Sequence, residues 1–187
     1  MNNRFNLRRA IDRDNIALSE LNQQVFRETF IDTFIIPVDE ENLQYYFDKS
    51  VSPVIFANKI ADTKQAIWVI EDTMHDDQLV AFINVGPCYS YLSDLNLSED
   101  GEIHRLYVRK THHGYGLGRW LMNVALSWLE EHFPGCSISL VVHINNFKAQ
   151  NLYKHYKFEK VADLDYNIGE YRAPNYIMRR KSFLSEY

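Results

Sequence analysis

From Leu117 onward, apolar residues fall at Leu117, Trp120, Leu121, Val124, Ala125, Trp128 and Leu129. Intervals of three and four predict an amphipathic helix whose apolar stripe is wide enough to lie on a sheet. Pro134 and Gly135 stop it. On either side the period shortens to that of strands, with Glu102 to Val108 before the helix and Ser137 to Val142 after it. Phe147 to Tyr156 reads as a further helix, and Phe158 to Ala162 with Tyr176 to Arg180 as two last strands.

The first half patterns differently. Phe5 to Ala10 reads as a short edge strand, and Asp12 as the N-cap of a helix carrying Ile16, Leu18, Leu21, Val25 and Phe26. Two more helices are predicted, one after Pro37 with Asp39, Glu40 and Glu41 in its first turn, the other from Pro53. Phe30, Phe34, Tyr45, Tyr46 and Phe47 are placed in the connecting loops. Ala66 to Glu71 and Leu79 to Val85 flank the polar stretch Asp72 to Gln78 as a hairpin, and Pro87 to Gly101 is a polar loop with Tyr89 and Tyr91. Hairpins followed by a βαβ unit predict an α/β fold, a mixed twisted sheet of six to seven strands with helices on both faces. Without a repeat, low-complexity tract or linker, residues 1–187 are expected to form a single domain.

The 187 residues are 46% hydrophobic and 24% charged, enough for one substantial core. A net charge of -5 argues against a sequence-independent nucleic-acid binder and suits a cationic small substrate. No apolar run approaches the roughly 18 residues of a membrane span, and Met1 to Arg9 lacks the long apolar segment of a signal peptide. Cys88 and Cys136 form no CxxC pair, so a reducing, cytoplasmic setting is expected. The histidines, His112 and His113 included, show no HExxH or Cys/His ligand spacing, and no metal is expected. The 12 Tyr and 11 Phe fit either a filled core or the wall of a ligand pocket.

Between the strand Glu102 to Val108 and the long helix lies His113-Gly114-Tyr115-Gly116-Leu117-Gly118, followed by Arg119. Glycines on alternate positions let backbone N–H groups converge on an anion, and the first turn of the helix adds the positive end of its dipole. No Gly-Lys-Ser/Thr follows, which excludes a Walker loop, and the GxGxG spacing disfavours a dinucleotide fingerprint. A tight turn for close packing of helix on sheet remains the other reading.

This stretch resembles the acetyl-CoA loop of GNAT N-acetyltransferases, Gln/Arg-x-x-Gly-x-Gly/Ala, with Gly116 and Gly118 at its glycines and His113 replacing the first residue. Asn146, Ala149, Leu152, Tyr153 and Phe158 resemble the family's second signature, with Lys157 where glycine is usual. The two motifs cover the C-terminal half; Glu102 to Val108 and Phe26 to Phe30 look most like bacterial spermidine/spermine N-acetyltransferases.

The resemblance implies a GNAT fold that splays two parallel strands, Arg105 to Val108 and Leu140 to Val142, so that unpaired backbone groups of Leu106, Tyr107 and Val108 bind the pantetheine arm of acetyl-CoA. Gly114, Tyr115 and Leu117 would join the phosphate site, Asn146 would hold the arm, and Tyr153 would protonate the departing thiolate. A primary ammonium near pKa 10.4 costs about 4 to 5 kcal/mol to deprotonate at neutral pH, so a base is needed, and Glu102 is the candidate. An exposed strand-end carboxylate and a packing tyrosine are the plain readings of Glu102 and Tyr153. The loop between the first two helices usually lines the acceptor site, which nominates Phe30, Phe34, Tyr45 and Glu41 for a polyamine such as spermidine or spermine. The same acids also stabilise a helix start and the aromatics also fit a core.

The expected activity is transfer of acetyl to a small-molecule primary amine by direct attack in a ternary complex. A protein or peptide acceptor, or a non-catalytic acyl-CoA sensor, is the alternative. Exposed apolar surface would support a homodimer.

Overall fold

The computed structural model describes residues 4–89 and 99–182. Its strands are β1 (Phe5–Arg9), β2 (Ala66–Asp72), β3 (Gln78–Pro87), β4 (Gly101–Val108), β5 (Ile138–His143), β6 (Glu159–Ile168) and β7 (Tyr171–Arg180). Its helices are α1 (Asn15–Phe26), α2 (Glu40–Ser50), α3 (Pro53–Ala61), α4 (Leu117–His132) and α5 (Phe147–His155). The seven strands lie in the order β1-β2-β3-β4-β5-β7-β6. Only β4 and β5 run parallel among the described strands, and α4 supplies the crossover that a parallel neighbour requires.

Alternation along the central strands divides the core in two. Ile67, Val69 and Phe82 face α1, α2 and α3, whereas Ala66, Ile70, Ala81 and Ile83 face α4. The seven-stranded mixed α/β sheet with helices on both faces agrees with the sequence pattern.

Several local readings are corrected. Asp12 does not cap α1: a 3₁₀ turn, Asp12–Asp14, intervenes, and Asp14 accepts the Ile11 N–H at 2.8 Å. Ile16 and Trp120 are exposed, while Met122 and Leu126 complete the buried stripe of α4. Phe30 sits in a π-helical turn, Arg27–Ile31, and Tyr45, Tyr46 and Phe47 lie within α2, outside any loop. The last hairpin is longer than the pattern suggests, because β6 is an exposed edge with polar positions and Pro174 interrupts the reading of β7. Most of the Pro87 to Gly101 loop, Tyr91 included, lies outside the described residues.

Candidate active site

The parallel pairing of β4 with β5 covers Gly101↔Ile138, Glu102↔Ser139 and Ile103↔Leu140 and then ends. The cause is local. Opposite β3, Val85 pairs with Ile103 and Asn84 with Arg105, so His104 is an extra residue that bulges β4 where the strands part. Beyond it the Arg109 N–H goes to Val80 O at 2.9 Å. By antiparallel alternation Tyr107 bonds toward β3, whereas Leu106 and Val108 turn their N–H and C=O groups toward the gap. Two parallel strands separated at a bulge offer an extended ligand the edge that a β-strand would otherwise occupy.

At the wide end of the gap stands the glycine loop. Gly114 and Gly116 adopt φ of +91° and +79°, and Gly116 is the N-cap residue of α4. A Cβ at either would touch nothing within 4 Å, so the positive φ rather than crowding calls for glycine. The first turn of α4 adds N–H groups without intrahelical acceptors, the arrangement with which helix N-termini can receive an anion. His113 does not face it as a free donor: its Nε2 lies 3.0 Å from Val108 O, and its Nδ1 2.9 Å from Nζ of Lys148. Burial, followed by the Lys148 charge, lowers its pKa. The neutral ring with Nε2–H donating and Nδ1 accepting fits both contacts. Arg119 is exposed in the first turn of α4, and Tyr115 is held by Phe5 and Arg4.

On the other flank, Asn146 is the N-cap of α5, its Oδ1 accepting the Ala149 N–H at 3.2 Å. Lys157 keeps the turn after α5 in the left-handed region, φ +68°, where the resembling pattern has glycine. Tyr153 is 7% exposed and packs on Phe158. Burial raises its pKa, so the phenol stays protonated, and the hydroxyl has no hydrogen-bond partner among the described residues.

The opposite face of the gap carries Glu102, His104, Arg105 and Tyr107 of β4. Glu102 is 2% exposed, and its Oε2 accepts the Tyr89 N–H at 3.0 Å and stands 3.8 Å from Nε2 of His104. It is therefore a buried, partnered carboxylate and not an exposed strand end. His104 donates to Pro87 O at 3.0 Å and stacks on Tyr89, and burial brings it down to about 4. Arg105 donates to Ser50 O at the end of α2, and its charge reaches Tyr46 and Tyr107. Lys59 of α3 reaches Asn84 Oδ1 at 3.1 Å.

Of the nominated acceptor residues, Phe30 and Phe34 come together around His143 of β5, at ring distances of 5.7 and 5.2 Å. Tyr45 and Glu41 do not join them; both are exposed, and Tyr45 lies beside Lys49. Tyr46 takes that place, 6.3 Å from Tyr166 and 5.2 Å from Phe26. The other acids of this region have structural partners: Asp39 caps α2, Glu40 in its first turn pairs with Arg27, and Asp48 in its last turn accepts from Gln44. Arg105, Lys59, Tyr46 and His143 were not singled out as site residues by sequence; only the Arg105 position in a splayed strand offered a signal. Among the described residues no three His, Cys, Asp or Glu side chains gather to hold a metal ion, and no helix is long and apolar enough to cross a membrane.

Residues 24–158 match the sequence model of the Acetyltransferase (GNAT) family. The fold is similar to the PaiA N-acetyltransferase of Thermoplasma acidophilum, solved with coenzyme A, at 18% identity and a TM-score of 0.71, over 95% of this chain and 98% of that one. It is similar to Arabidopsis thaliana NAA60 in complex with a bisubstrate analogue, at 22% identity and 0.62, over 95% and 98%. A spermidine N-acetyltransferase SpeG chimera from Vibrio cholerae and hSSAT aligns at 20% identity and 0.64, over 95% of each chain.

Proposed function

The chain belongs to the GNAT acetyltransferase family, and from that premise we propose that it moves an acetyl group from acetyl-CoA to the primary amine of a small molecule, by direct attack in a ternary complex. The observation that carries this reading is the gap between β4 and β5, with the edge groups of Leu106 and the N–H of Val108 on one strand, the Val108 carbonyl being taken by His113, and the glycine loop at its open end. The loop and the first turn of α4, Gly114 to Arg119, take the phosphates. The pantetheine arm lies along Leu106 to Val108, beside Asn146, and the Val108 N–H polarises the thioester carbonyl. Tyr153, protonated and without a competing partner, supplies the thiolate with its proton. Glu102 places a negative charge on the acceptor side of the bulge.

Polyamines head the list of acceptors. Phe30, Phe34, Tyr46, Tyr107 and Tyr166 offer aromatic walls for alkyl stems and cation–π contact, and a spermidine N-acetyltransferase shares the fold. The first-turn acids of α2 are not part of this support, since Asp39 and Glu40 are engaged elsewhere. The reading is tested by thiol release from acetyl-CoA against spermidine, spermine, amino acids, aminoglycosides and short peptides. Turnover with small amines supports it; turnover confined to peptides replaces it, and coenzyme A binding without any turnover removes it.

A further inference from the structure

Given acetyl transfer to an amine, the acceptor must lose a proton before it attacks, and Glu102 is a constrained base. Its carboxylate is enclosed, takes the Tyr89 N–H, and pushes up the already buried Cys88 thiol beside it. A second basic group stands on the same face. Lys59, near the end of α3, extends its Nζ to Asn84 Oδ1 at 3.1 Å. Asn84 pairs across the β3–β4 ladder with Arg105, at the step where His104 bulges out and β4 leaves β5. The amide is held with its oxygen toward Lys59, because Nδ2 donates to Gln65 Oε1 at 3.3 Å and to Ala66 O at 3.5 Å. Nζ therefore has an acceptor for one N–H and, among the described residues, no salt bridge that would keep it charged.

We infer that Lys59, rather than Glu102, takes the proton from the acceptor's ammonium group, and that Glu102 tunes Lys59. The electrostatic surroundings agree. Burial first, then the Arg105 charge, brings the Lys59 ammonium down to about 7, and the Glu102 carboxylate opposes them. His104, the other titratable group at the bulge, is neutral at that pH and adds no charge. A base that titrates near neutrality is matched to its task, being free at working pH and still basic enough to accept.

The step balances. One ammonium proton passes to Nζ, and the freed amine lone pair forms the N–C bond at the thioester carbonyl. Collapse of the tetrahedral adduct breaks the C–S bond. The thiolate takes the Tyr153 proton, the second proton lost from nitrogen restores the phenol through solvent, and Lys59 returns its own proton to solvent.

The test is the pH dependence of kcat/KM for acetyl transfer, measured with two acceptors whose amines differ in pKa. The inference requires an acid limb near pH 7 shared by both acceptors, since kcat/KM reports the free enzyme. Lys59→Met should lower kcat/KM about 100-fold or more at pH 7.5, the usual size of a general-base effect. Lys59→Arg, which keeps the charge but cannot lose it, should be equally impaired. Glu102→Gln should still turn over, with its acid limb displaced to lower pH. Thermal melts and coenzyme A binding by calorimetry establish that each variant is folded. An active wild type whose rate and acid limb survive Lys59→Met overturns this inference alone, as does a Glu102→Gln enzyme that is dead while Lys59→Arg is not. A wild type that acetylates no amine overturns the acetyl-transfer reading beneath it.

Discussion

Oδ2 of Asp72 and Nε2 of His112 stand 3.0 Å apart, tying the end of β2 to the turn that leads into the glycine loop. Asp72 is fully buried and also accepts from Arg4, His75 and the Met74 N–H. Arg4 in turn reaches the Tyr115 hydroxyl at 3.2 Å, within the loop itself.

The first prediction concerns this tether. The Arg4 guanidinium, more than any other neighbour, holds the Asp72 carboxyl well below the usual carboxylate range. A depressed carboxylate contributes stability that is present above its unfolded pKa of about 4 and is lost only as pH falls through the lower folded value. At pH 7 the contribution is complete. Asp72→Asn should therefore lower the thermal midpoint by several degrees and weaken coenzyme A binding severalfold, with kcat at saturation little changed. Melting curves and calorimetry read the two effects separately. A loss of stability without loss of affinity would confine Asp72 to the scaffold.

His104 also costs stability on acidification, in a less acidic window than Asp72. Its side chain is enclosed and its pKa is brought down to about 4 by burial, from an ordinary value near 6.5. Between those values the unfolded chain binds a proton that the folded chain refuses, so stability is full above pH 6.5 and falls as pH drops toward 4. The loss attributable to this one imidazole is about 3 kcal/mol. Urea unfolding at pH 7, 6, 5 and 4 should show the decline, and His104→Gln should flatten it. A variant with the same slope as wild type would assign the acid sensitivity to other groups.

Much of this architecture was legible because it is written in periodicity. The stripe of α4 follows from burial on one face, the apolar runs of β2 and β3 from burial on both, and the glycine loop from the φ values that Gly114 and Gly116 require. What the chain did not disclose depends on side chains meeting across sequence distance. Lys59 and Arg105 approach the bulge from elements 46 positions apart, and neither has a local pattern that marks it. Tyr45 and Tyr46 are neighbours in sequence on one helix, and only the rotation of α2 on the sheet sends Tyr46 inward and Tyr45 to solvent. The long β6–β7 hairpin escaped because an edge strand need not alternate strictly.

Two backbone positions should respond in opposite directions. Lys157 holds φ +68°, a conformation that costs a residue with a Cβ about 1 kcal/mol or somewhat more. Lys157→Gly relieves that strain and gives back part of the gain as unfolded-chain entropy, leaving a net stabilisation of up to about 1 kcal/mol. Gly116→Ala imposes the same strain at φ +79° without steric conflict, and should destabilise by about 1 kcal/mol while weakening coenzyme A binding. Equilibrium unfolding of both variants checks the signs. A neutral Gly116→Ala would mean that the loop relaxes to another conformation.

The last prediction separates chemistry from packing at Tyr153. Its ring is part of the α4-facing core against Phe158, but its hydroxyl bonds to nothing among the described residues. Tyr153→Phe keeps the ring and removes only the oxygen, so the fold loses no hydrogen bond and the melting temperature should stay within about 1 °C to 2 °C of wild type, the range of a near-neutral substitution. If the phenol delivers the proton to the leaving thiolate, kcat should fall roughly 100-fold or more, within the range of general-acid effects, while KM for the amine is unchanged. Because burial raises the Tyr153 pKa, deprotonation of this acid should impose no basic limb below pH 10 on the wild-type rate. An acyl donor with a more acidic leaving thiol needs less help from an acid, so it should restore part of the rate to the variant. Equal losses with both donors would show that Tyr153 positions the arm and does not protonate the sulfur.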